Sequence, residues 1–74
     1  MTIQAENLIQ IDNQIWQKFG FRSGSDVERN KEKYIAEVAK ALKGERVGKN
    51  TIDELENENY HSMVEAITIL NRTR

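Results

Sequence analysis

Leu8, Ile11, Ile15 and Phe19 recur at steps of three and four residues, the period of an α-helix, with Ile9 and Trp16 beside them on the same side. This spacing predicts a first helix over residues 4–19, give or take about two residues at each end. Gly20, with apolar Phe21 behind it, reads as a left-handed stop after which the next side chain folds back onto the last turn. Ser23-Gly24-Ser25 follows as a short polar link, and Ser25 with Glu28 three residues later matches a capping box. Val27, Tyr34, Ile35, Val38, Ala41 and Leu42 then make one stripe, predicting a second helix over about 26–43 that Gly44 closes.

Glu45 to Asn50 reads as a loop by composition. Thr51 with Glu54 offers a second capping box, with Asn50 an equal claimant for the N-cap. A third helix over about 51–70 would carry Ile52, Leu55, Met63, Ala66, Ile67 and Leu70 on one face, widened by Tyr60 and Val64. Asn57-Glu58-Asn59 is a run of weak helix formers, and a break in that helix would fall there. The fold expected is all-α: a small three-helix bundle in one domain spanning 1–74, since short connections make successive helices antiparallel neighbours. A strand over Leu8 to Ile15, where Ile9 and Ile11 alternate with polar residues, lacks a partner elsewhere in the chain.

Length changes this picture by limiting the core. A chain of 74 residues buries only about 60% of its unfolded surface, and its core supplies a few kcal/mol. With no Cys and one His, neither disulfides nor the usual structural zinc sets can reinforce it within one chain. Self-association or a partner is the remaining source of support. Eleven Lys and Arg against 12 Asp and Glu give a net charge of -1, so no global field draws the chain onto nucleic acid or an anionic membrane. Met1 to Asn7 lack the basic start of a signal peptide, and no stretch nears the roughly 20 apolar residues that span a bilayer. A cytoplasmic location, with no membrane association, is the expectation.

Candidate chemistry is sparse. Three short helices rarely enclose a water-excluded pocket, so neither an enzyme nor a bound cofactor is expected. His61 is the one imidazole, and a nucleophile pair would have to join it to Ser23, Ser25, Ser62 or a Thr, of which Ser62 is adjacent on the helix and points elsewhere. Glu58 and His61 form a Glu-x-x-His pair, a spacing that sets both on one face of a continuous helix, but the further carboxylates of a di-iron site would have to come from a second copy and Glu28, Glu32 or Glu37. No metal site is assigned.

Two surfaces carry the functional readings. Ile9 and Trp16 edge a broad apolar arc on the first helix, with Asp12 between them and the Leu8–Phe19 line. Residues 53 to 65 hold five carboxylates and no Lys or Arg. Together these point to a small, non-enzymatic regulatory or adaptor protein that binds a larger protein or a second copy of itself, through Ile9 and Trp16 with Glu54, Glu56 and Glu58 at the rim. The alternative is a DNA- or RNA-binding regulator using Lys40, Lys43, Arg46 and Lys49, extended by Arg72 and Arg74. A helix-turn-helix is disfavoured. The link from Lys43 to Thr51 is longer than that motif's turn, and Asp53, Glu54, Glu56 and Glu58 on the reading helix would repel phosphates.

Overall fold

The computed structural model describes residues 3–73; Met1, Thr2 and Arg74, the last of them a candidate extension of the basic patch, lie outside the described residues. The chain is all-α, as the periodicity predicts, but with five helices among these residues rather than three: α1 (Ala5–Phe19), α2 (Gly24–Arg29), α3 (Lys31–Leu42), α4 (Lys49–Asn57) and α5 (His61–Arg72). Each of the two later predicted helices is divided at an asparagine. At Asn30 (φ −119°, ψ 32°) the backbone leaves helical geometry while the side-chain amide donates to the Asp26 carbonyl at 2.9 Å. That competition for a helix carbonyl is why Asn is a poor helix-interior residue.

The second break is sharper. Asn59 has φ 67°, and the Tyr60 amide reaches back to the Leu55 carbonyl at 2.9 Å. The end of α1 is built the same way: Gly20 has φ 70° and the Phe21 amide donates to the Trp16 carbonyl at 2.9 Å. Both are left-handed helix stops with an apolar residue folding back, one on Gly and one on Asn, the two residue types that accept this conformation most readily. Phe21 packs its ring 5.4 Å from Phe19 and edge-on to Trp16 at 6.3 Å, as expected from its position behind Gly20. Helix α3 ends one residue before the expected boundary, with Lys43 left-handed at φ 52° and Gly44 after it at φ 84°.

Neither capping box forms. Ser23 and Gly48 occupy the N-cap positions of α2 and α4, and neither gives a side-chain cap. In the first case Asp26 takes over, its carboxylate accepting the Arg22 amide at 2.8 Å and the Arg29 guanidinium at 2.7 Å. These donors, the Arg22 amide foremost, hold its carboxyl below the ordinary range. In the second, the Thr51 hydroxyl donates to the Ile3 carbonyl at 3.1 Å and ties the N-terminal segment to α4.

The core follows the predicted stripes. Leu8 and Ile15 of α1, Val27 of α2, Tyr34, Val38 and Leu42 of α3, Leu55 of α4, and Met63, Ala66 and Ile67 of α5 are all buried. Helix α1 packs on α3 and α4, and α5 packs on the same two. Ala41, expected in the stripe, is exposed. Two members lie outside those stripes, Ala5 at the start of α1 and Val47, which lies in the loop yet is only 3% exposed. Its backbone is clamped by the Asn71 side chain, whose amide nitrogen donates to the Val47 carbonyl at 3.2 Å while its oxygen accepts the Val47 amide at 3.4 Å. Asn71→Ala leaves two backbone groups without these partners, and is expected to cost about 1–2 kcal/mol and to speed amide hydrogen exchange at Val47 selectively. Unchanged exchange there would show that Val47 burial alone holds the loop.

Candidate functional site

The face of α1 that carries Ile9, Asp12, Asn13 and Trp16 runs past the turn between α4 and α5, and a concavity opens at each end of it. At one end Ala5, Ile9 and Gln10 meet Glu54 and Glu58 across a groove of about 390 Å³, with Glu6 beside them. At the other, an open cleft of about 1180 Å³ lies between Asp12, Asn13 and Trp16 of α1, the segment Gly24 to Arg29 of α2, and Asn59 to Met63. The left-handed turn at Asn59 creates the second space: it swings Tyr60 and His61 away from the line of α4 and toward α1.

The floor of the larger cleft holds the one buried charged group among the described residues. Asp12 is 7% exposed, and its Oδ1 accepts the Tyr34 hydroxyl at 2.6 Å. Burial pushes its carboxyl above the ordinary range, opposed by the Tyr34 hydroxyl and by the nearby indole N–H of Trp16. That indole approaches one helical turn on from Asp12 without closing a well-formed bond, so Trp16 Nε1 is buried and has no hydrogen-bond partner among the described residues. Tyr34 is pushed up in turn, by its own burial first and by the Asp12 carboxylate second. No cation is paired with Asp12 among the described residues. The Arg29 guanidinium, at the cleft wall, is engaged by Asp26, and the Lys31 ammonium pairs with Glu65.

Of the residues expected at a protein-binding surface, Ile9, Glu54 and Glu58 come together in the smaller groove, and Trp16 lies in the larger cleft on the same helix. Glu56 is exposed and lines neither. Trp16 and Ile9 are half-buried, each with one side against the core. The pattern of α1 placed Asp12 among apolar positions, and that alone was the signal for its burial. The cleft depends on Asn59: the weak helix formers at 57–59 marked where the helix would break, as it does, but not the left-handed turn that opens the space.

The four cations of the alternative surface are divided. Arg46 and Lys49 share a shallow groove with Val47, Ile52 and Asn71. Lys40 reaches back to Glu37 at 3.3 Å, the carboxylate that Lys18 also pairs at 3.0 Å, and Lys43 is exposed in its left-handed position. Lys18 foremost, and Lys40 after it, hold Glu37 below the ordinary carboxylate range. The Glu58–His61 spacing loses its geometric basis, because Glu58 caps α4 and His61 opens α5 across the break at Asn59. No cluster of three or more metal-ligating side chains occurs among the described residues, and no hydrogen bond joins His61 to Ser23, Ser25 or Ser62 there. Among the same residues no helix is long and apolar enough to cross a membrane. Comparison of the chain with protein-family models, curated proteins and solved structures returns no match.

Proposed function

We propose that this chain is a small, cytoplasmic, non-enzymatic binding protein that acts by docking on a larger protein or by self-association through the Ile9–Trp16 face of α1. The observation that carries this reading is the alignment of two concavities along one helix face. Ile9 sits in one and Trp16 in the other, with the α4–α5 turn running beside both. Half-buried aromatic and branched side chains in concave surroundings are the usual anchors of protein interfaces. Exposed Glu54 and Glu58 at the Ile9 groove add a negative rim that favours a basic partner surface. The nucleic-acid reading has the support of Arg46 and Lys49 on one groove, two cations where a phosphate-tracking surface uses several.

Affinity purification of the tagged chain from its native cells, with and without nuclease, separates these readings. The expected outcome is a partner retained after nuclease by the wild type, and lost from a folded Trp16→Ala variant by tenfold or more, as for an interface anchor worth about 2 kcal/mol. Sedimentation of the purified chain tests the self-association form. Recovery that disappears with nuclease, and with Arg46→Ala and Lys49→Ala, would move the function to the basic loop.

A further inference from the structure

Resting on the docking reading above, the geometry points to the Asp12–Trp16 cleft as the seat of a positively charged side chain, an arginine, presented by the partner protein. Three observations converge on that chemistry. Asp12 lies at the cleft floor almost wholly buried, with its one well-formed bond, from the neutral Tyr34 hydroxyl, on Oδ1. A buried carboxylate is ordinarily paired with a cation, and this one has none among the described residues. Two aromatic side chains line the cleft, Trp16 from α1 and Tyr60 from the turn before α5, which suits a flat, weakly hydrated cation.

The charges around the opening favour the same guest. Glu28 stands at the wall as a second carboxylate, and the one fixed cation there, Arg29, is already bound by Asp26 at 2.7 Å. His61 also lines the cleft and is exposed. An arginine entering this cleft beside Trp16 and Tyr60 would place its guanidinium against the Asp12 carboxylate, whose burial strengthens a charge-assisted bond. Lysine would supply the charge without the planar stack, and so ranks second.

The test uses N-acetyl-arginine amide as the probe and its uncharged isostere, N-acetyl-citrulline amide, as the control. Trp16 is the single Trp of the chain, so its indole N–H gives one resonance that needs no further assignment in a ¹⁵N-labelled sample. The arginine probe is expected to move that resonance saturably, and to bind about tenfold or more tightly than the citrulline probe. Asp12→Asn is expected to erase the difference between the two probes, and raised salt to weaken the arginine probe alone. Glu28→Gln, an exposed position that leaves the core untouched, is expected to weaken arginine by about two- to threefold and keeps the test decisive if Asp12→Asn fails to fold. Equal shifts with citrulline, or no saturable movement, overturn the assignment. If Trp16→Ala still releases the partner while the arginine probe does not bind, the cation falls and the docking face stands; the reverse pair of results keeps the cation pocket and removes the docking reading.

Discussion

Leu55→Ala is expected to leave most molecules unfolded in mild urea, and to bring the wild-type transition close to zero denaturant. Leu55 is fully buried and is the one buried residue of α4. Truncating such a leucine costs about 2–5 kcal/mol, the removed methyl groups and the residual cavity together. A domain of this size has a total of the same order, because its core contributes only a few kcal/mol beyond the chain entropy it must offset. The loss is also placed where function is proposed. Leu55 holds α4 against α1, and its carbonyl accepts the Tyr60 amide that fixes the turn after Asn59. Releasing α4 therefore frees Glu54 and Glu58 from Ile9 and loosens the wall of the larger cleft. Far-UV circular dichroism against urea checks the prediction. With a slope of about 1 kcal/mol per molar for so small a chain, the midpoint falls by about 2 M or more; a shift under about 0.5 M would show that the neighbours collapse into the space.

The helical stripes were legible because burial in a small bundle imposes a period of 3.6 on apolar residues. Leu8, Ile15, Val38, Leu55, Met63 and Ile67 all sit where that period places them. Helix ends were legible where one residue type dominates the geometry, as at Gly20. Asparagine is less decisive. Its cost within a helix is a fraction of a kcal/mol, and tertiary packing decides whether the helix absorbs it, so Asn30 and Asn59 became breaks while Asn7 and Asn13 remain inside α1.

The same limitation applies to caps and clamps. Ser25 and Thr51 have the right neighbours for capping boxes, but Asp26 and the Ile3 carbonyl compete for the local hydrogen bonds and win. Val47 and Asn71 are separated by 24 residues, and nothing local distinguishes that pair from loop and tail. The candidate cleft belongs to this second category. Trp16 and Asp12 were conspicuous on α1, whereas the opposing wall exists only because the chain turns left-handed at Asn59.

Tyr34→Phe should expose the energetic role of Asp12 and give it a pH signature. The hydroxyl removed is the one well-formed donor to a carboxylate that is 7% exposed, and leaving that acceptor short costs about 1–3 kcal/mol near neutral pH. Asp12 is raised above its ordinary value by burial, so the folded chain binds this proton more tightly than the unfolded one. Its contribution to stability is full below the ordinary carboxylate range and is lost as pH rises through the folded value. Asp26 and Glu37 run the opposite way, their depressed values giving stability above the ordinary range that is lost as pH falls through the folded ones. The wild-type profile mixes all three, and the difference between wild type and Asp12→Asn isolates the first: the Asn variant is expected to gain on the wild type as pH rises from the acid side. Tyr34→Phe removes a donor that favours the carboxylate and pushes Asp12 higher still, so its cost is expected to be largest at neutral pH and to shrink once Asp12 is protonated. Urea midpoints of the three proteins between about pH 3 and pH 7 supply the comparison. A Tyr34→Phe cost that stays constant across that range would mean that Asp12 is not the charged partner of the hydroxyl, and would remove the buried negative charge on which arginine recognition depends.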